Sequence, residues 1–259
     1  MFVNIKDFKM KKLNRTRDIT VYLPDNYFNE DKRYPVIYIQ DGQNAFFDAT
    51  SFSGVSWGFI EACKELNLEL IMVAIPCGEG DVGRMNEYGP WKISKKLSQR
   101  EVHQDIIIGG EGKKYISWLA DTLKPYIDHR FRTLVDDTTI IGSSMGGVIA
   151  SYAILARPEV FHKAAAVSTA YWFYMPQYEK LISKCHFEEI DRFYMDYGQF
   201  EGCGSEEEDQ WYIDANHTIE NWLDGKLNNY RSVYIEGATH NEAQWRKRLP
   251  SILSYLYVE

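Results

Sequence analysis

The residues with the clearest chemical potential lie in one pentapeptide, Gly142-Ser143-Ser144-Met145-Gly146, a G-x-S-x-G pattern with Ser144 at its centre. On composition alone the pattern is weak. With Gly and Ser each near 7% of residues, chance supplies one in roughly a tenth of chains of this length. Its surroundings single it out. The β-branched run Thr138–Ile141 leads into it and the small, apolar stretch Gly147–Ala156 leads out, so the sequence predicts strand, sharp turn, helix. Such a turn holds a serine hydroxyl out from the backbone, and its neighbours must be small to clear strand and helix. The chemistry implied is acyl transfer through Ser144.

A serine hydroxyl needs a base to take its proton. Six histidines are available: His103, His129, His162, His186, His217 and His240. Where an elbow of this kind crowns an α/β sheet, the acid and then the base follow it in the chain. That order removes His103 and His129. His162 opens the next strand, at what reads as the far edge from the elbow, and His186 and His217 sit in polar helical or loop contexts. His240 follows the run Ser232–Glu236 through Gly237-Ala238-Thr239, at a strand's C-terminal end, where open α/β sheets build their sites. His240 is the base expected.

The acid belongs between them. In Arg192-Phe193-Tyr194-Met195-Asp196-Tyr197-Gly198-Gln199-Phe200-Glu201-Gly202, Asp196 closes the predicted strand and Glu201 lies in the loop beyond Gly198. Either could hold the far ring nitrogen of His240; Asp209 and Asp214 are outsiders. Glu201 has one more methylene of reach, and Gly202 lets its loop curl back. The oxyanion needs two fixed N–H donors. The backbone N–H of Met145 comes with the elbow, and that of Gln43, in Gln40-Asp41-Gly42-Gln43-Asn44 after an early strand, is the expected second.

Aromatic residues crowd the loops expected at the site: Phe46, Phe47, Trp57, Tyr88, Trp91, Tyr171, Trp172, Phe173 and Trp245. Tyr171, Trp172 and Trp57 are the substrate-binding candidates, although at 15% aromatic content many such residues must be core. Cys185-His186 with Cys203 lacks metal-ligand spacing, so neither a metal nor a cofactor is expected.

The elements that must position these residues read as one α/β domain over residues 1–259, with a less regular, lid-like segment at about 76–112. Strand-length apolar runs recur at Ile19–Leu23, Pro35–Ile39, Leu70–Ile75, Thr138–Ile141, Ala164–Val167, Phe193–Met195 and Val233–Ile235. Several lack polar alternation, as expected of strands covered on both faces of a mostly parallel sheet. Helical spacing marks Tyr115–Ile127, Gly147–Ala156 and Arg248–Tyr257, while the acidic run Glu206–Asp209 marks a solvated loop or helix start. The chain carries 29 Lys+Arg against 37 Asp+Glu, a net charge of −8, which argues against nucleic-acid binding. No apolar run approaches the roughly 18 residues of a membrane span. No signal-peptide core opens the chain, and four cysteines without a CxxC pair fit buried thiols in a reducing compartment. A cytoplasmic protein is expected.

Several segments, taken together and in order, resemble a known family. They are Arg33–Tyr38 leading to Asp41-Gly42-Gln43-Asn44, Arg84 with Glu87-Tyr88-Gly89-Pro90-Trp91, and Leu123–Asp128. The elbow Gly142–Gly147 and His240-Asn241-Glu242-Ala243 with Trp245 complete the set. They are similar to the esterase D-like "putative esterase" family of α/β-hydrolases, over about residues 14–256. Its members include feruloyl, acetyl-xylan and enterochelin esterases, S-formylglutathione hydrolases and mycolyltransferases. The resemblance implies a metal-independent serine hydrolase with Ser144 as nucleophile and His240 as base, and it favours Glu201 as acid. The chain departs from the pattern at Gln40, where many relatives have His, and at Gln199-Phe200, which replaces a Thr-containing turn. The expected activity is hydrolysis of small esters with short-chain or aromatic acyl groups. An acyltransferase with the same triad, or a non-catalytic binding protein of the same fold, is the alternative.

Overall fold

The computed structural model describes residues 1–97 and 106–259. Its centre is an eight-stranded sheet in the order β1-β2-β4-β3-β5-β6-β7-β8. The strands are β1 (Phe2–Met10), β2 (Arg15–Tyr22), β3 (Tyr34–Gln40) and β4 (Ile71–Ile75), then β5 (Thr133–Ser143), β6 (Lys163–Val167), β7 (Arg192–Phe200) and β8 (Tyr230–Thr239). β2 pairs antiparallel with both β1 and β4, and every other pairing is parallel. The α/β-hydrolase fold expected from the sequence is the fold observed.

The helices are α1 (Phe59–Glu65), α2 (Gly80–Tyr88), α3 (Gly112–Trp118), α4 (Lys124–Arg130), α5 (Met145–Ala156), α6 (Met175–Ile182), α7 (Glu206–Leu223) and α8 (Glu242–Tyr257). A π-helical turn, Leu119–Leu123, joins α3 to α4. Because β3, β4 and β6 are apolar on successive residues, they bury both faces and need cover on each. On one face Ile39, Ala74 and Val167 pack with Phe59 and Ala62 of α1 and Leu249, Ile252 and Leu253 of α8. On the other, Tyr38, Val73 and Ala166 pack with Ile116 of α3, Val148 and Ile149 of α5 and Tyr178 of α6. The acidic run Glu206–Asp209 is a helix start, as its charge suits the positive end of the helix dipole. Ser205 caps it, its Oγ accepting from the Glu208 N–H at 3.3 Å.

Two expectations are corrected. Asp196 does not close its strand: β7 runs on to Phe200, so Asp196 lies within the sheet and Glu201 directly follows it. His162 is not at a far edge, since β6 pairs directly with β5; it stands at the N-terminal end of β6, away from the elbow. No helix among the described residues is long and apolar enough to cross a membrane.

Candidate active site

Ser144 sits at φ 57°, ψ −121°, between β5 and α5. A non-glycine residue there is strained, and such strain persists only where the surroundings impose it. Here they do. The Ser144 N–H is held by the Val167 carbonyl at 2.9 Å, and the Ser144 carbonyl accepts from Val148 at 3.1 Å. Gly142 must be glycine because a Cβ there would lie 2.3 Å from the Gly146 carbonyl oxygen. Met145 opens α5, so its N–H is among the first-turn donors that a helix leaves without an internal partner.

His240 follows β8, and its ring packs between Tyr212 and Trp245, with centroids 5.2 and 5.1 Å away. Its Nδ1 lies 2.7 Å from Glu201 Oε2. The other oxygen of Glu201 accepts from the Ser168 hydroxyl at 2.7 Å and from the Gly198 N–H at 2.5 Å. Burial, the largest influence, pushes the Glu201 carboxyl up. The bonds from His240, Ser168 and Gly198 outweigh it and hold the group below its usual value. Ser144, His240 and Arg84 together line two adjoining cavities, of about 250 and 490 Å³. Glu201 lines the smaller one.

Asp196 is committed elsewhere. Its Oδ1 accepts from Arg248 at 2.9 Å, and its Oδ2 accepts from the Tyr194 hydroxyl at 3.0 Å. Asp209 accepts the Gly202 N–H at 2.5 Å, and Asp214 pairs with Gln210 at 2.6 Å. Among the other histidines, His162 Nδ1 is 3.0 Å from the Glu189 carbonyl, while His186 faces the exposed Glu188 and His217 the half-buried Glu220. His129 lies in the last turn of α4, and His103 lies outside the described residues.

The Gln43 backbone stands in a single 3-10 turn, Gly42–Asn44, directly after the left-handed Asp41. Gly42 is compelled by contact: a Cβ there would lie 2.3 Å from the Ile75 nitrogen of β4. The Gln43 side chain bridges the N–H and Sγ of Cys77 at 3.3 and 3.5 Å, on the wall of the larger cavity. Gln40, which replaces the histidine of many relatives, accepts from the buried Tyr115 hydroxyl at 2.5 Å.

Of the three aromatic candidates, only Trp172 reaches the site. It lines the smaller cavity with Phe173, on which it stacks at 3.7 Å. Tyr171 is a correction: it is fully buried, its hydroxyl 2.5 Å from Ser151 and its ring edge-on to Tyr178. Trp57 is a second correction, because its ring lies behind Trp245 and stacked on Phe59, inside the core. Residue type marks an aromatic side chain as large and apolar, which suits a core as well as a pocket. Sequence reasoning missed Cys203 and Glu208 on the cavity walls. It also took all four thiols as buried, whereas Cys203 is exposed.

The family model described as "Putative esterase" matches residues 10–256. The chain is 26% identical over 251 residues to the uncharacterized protein YbbA of Bacillus subtilis (strain 168), spanning 93% of this chain and 92% of that protein. Among solved structures, an IroE-like serine hydrolase from Shewanella oneidensis superposes with a TM-score of 0.74 at 18% identity, covering 97% of this chain and 79% of that one. The siderophore hydrolase EstA from Aspergillus nidulans gives a TM-score of 0.73 at 15% identity, covering 100% of this chain and 95% of that one. With nearly its whole length matched, the chain belongs to the "Putative esterase" family and is a carboxylic-ester hydrolase.

Proposed function

We propose that Ser144, His240 and Glu201 form the catalytic triad of this hydrolase, and that it acts on small esters with short-chain or aromatic acyl groups. The carrying observation is the 2.7 Å pairing of His240 Nδ1 with Glu201, beside a serine on a strained elbow. Glu201 fixes the imidazole so that Nε2 is free to take the Ser144 proton. Ser144 Oγ adds to the ester carbonyl, and the N–H groups of Met145 and Gln43 receive the oxyanion. The tetrahedral adduct collapses, its C–O bond breaks, and His240 gives the proton to the leaving alcohol. Water repeats the sequence on the acyl-enzyme, releasing the acid and free Ser144.

The substrate reading is supported by the walls of the smaller cavity, where Met85, Trp172 and Phe173 offer flat apolar surface within about 250 Å³. That is room for an aryl or short acyl group rather than a long chain. The test is Ser144→Ala, assayed with a fluorophosphonate label mapped to its residue and with a panel of acetyl, butyryl, feruloyl and long-chain esters. Turnover should vanish with the label, and acetyl or aryl esters should outpace long-chain ones. A Ser144→Ala protein that still hydrolyses esters, or faster cleavage of long chains, would overturn the corresponding half of the proposal.

A further inference from the structure

Arg84, on α2, lies 43 residues from Asp41 in sequence yet grips it with both ends of its fork: Nε to Oδ1 and Nη2 to Oδ2, each at 2.8 Å. The same Nη2 reaches the Ser143 carbonyl at 3.4 Å. One turn further along α2, the Tyr88 hydroxyl accepts the Asp41 N–H at 2.8 Å. Asp41 is held at φ 50°, ψ 47°, a left-handed conformation that a residue with a Cβ rarely adopts unaided. Its carboxylate also packs against the elbow helix, where a Cβ on Gly146 would come within 3.0 Å of Oδ2. The far end of the turn is tied separately, by Asn44 Nδ2 donating to Glu242 Oε1 at 3.1 Å.

We propose that Arg84 is a positioning residue for the oxyanion hole. By holding Asp41 and the Ser143 carbonyl with one guanidinium, it fixes the spacing between the Gln43 and Met145 N–H groups. This inference rests on the oxyanion role proposed above for those two donors. The fork geometry is what the task needs, since two parallel bonds define the orientation of a carboxylate and one bond does not. Asp41 balances the charge of Arg84, and three of its five N–H donors are already engaged, so the arrangement suits bracing rather than capture of an anionic substrate.

The experiment compares turnover with inhibitor affinity. A trifluoromethyl ketone forms an oxyanion adduct on the serine, whereas the matching secondary alcohol occupies the site without one. Arg84→Met should lower kcat by about 10²–10³-fold, the scale for one lost oxyanion donor, with KM within about threefold. Affinity for the trifluoromethyl ketone should fall in parallel while that for the alcohol stays constant. Arg84→Lys, which keeps the charge without the fork, should lose about tenfold in kcat. A rise in KM at unchanged kcat would overturn the proposal in favour of direct substrate contact, and a fully active Arg84→Lys would overturn the bracing role. If Arg84→Met does not fold, Tyr88→Phe carries the test. It removes the acceptor for the Asp41 N–H and should lower kcat, not KM, about tenfold; an unchanged kcat would overturn the proposal. Activity surviving in Ser144→Ala would instead mark a failure of the triad reading itself.

Discussion

Asp196 and Glu201 lie close together in the chain and are both buried, yet they have opposite surroundings. Asp196 faces Arg248, a permanent cation, at 2.9 Å. Glu201 faces His240, the imidazole proposed above as the base, at 2.7 Å. Burial is the largest influence on each. It lifts Asp196 to about 6 despite the opposing effect of Arg248. Glu201, supplied by imidazole, hydroxyl and backbone donors, stays below its usual value. A carboxylate tied to arginine is a fastening. One whose first oxygen is saturated by neutral donors keeps its second for the imidazole.

The comparison is broken most severely at Glu201. Glu201→Gln should lower kcat by about 10⁴, by analogy with loss of the orienting acid in protease triads, while Asp196→Asn should keep turnover per folded molecule within about threefold. A collapse in the second variant alone, measured on equally folded proteins, would reverse the assignment. The next effect is on stability. Arg248→Met leaves Asp196 buried without its cation and should cost about 3–5 kcal/mol in denaturant unfolding; a loss below about 1 kcal/mol would mean that the pair is not the fastening described. Ser168→Ala removes a hydrogen bond to a buried carboxylate, worth about 1.5–3 kcal/mol, and should lower kcat by about tenfold at constant fold. Unchanged turnover would mean that Glu201 does not depend on that hydroxyl.

The smallest effect is a difference in sign. The folded value of Asp196, about 6 against 3.8 when unfolded, means that the native state binds the proton first. Its contribution to stability therefore grows as pH falls from about 6 towards 4. Glu201 is depressed below 4.5, so its contribution is present above the unfolded value and lost as pH falls through the folded one. Wild type should gain on Asp196→Asn between pH 6 and 4, by no more than about 1.4 kcal/mol per pH unit. Parallel stability curves for the two proteins would refute it.

Much of this was legible in the sequence, and the misses have physical causes. The elbow was readable because strand, glycines and helix are contiguous and the requirement is steric. The position of His240 followed from chain order and a strand end. β1 escaped because it is an edge strand with exposed Asn4, Lys6, Asp7 and Lys9, and its register breaks between Ile5 and Phe8. The register break puts the alternation out of phase halfway along the strand, so neither half is long enough to carry a period-2 signal. The contacts of Arg84, Ser168 and Arg248 join distant segments, which local spacing does not encode. Tyr171 and Trp57 failed as pocket residues for the same reason: direction of burial is a property of the assembled sheet.

Ser168 has one proton and two lone pairs, and the structure commits all three. Trp245 Nε1 and Arg248 Nη2 donate to its oxygen at 2.9 and 3.1 Å, so its proton has only Glu201 left to face, at 2.7 Å. The hydroxyl cannot rotate to another choice. Every bond from the arginine and indole through the serine to the carboxylate therefore runs in one direction, and bonds arranged head to tail polarise one another. That run keeps one polarity and ends at the Glu201 carboxylate, into which the His240 Nδ1–H donates from the opposite side. It is already aligned before any substrate arrives, and no rotor has to be reset between one turnover and the next.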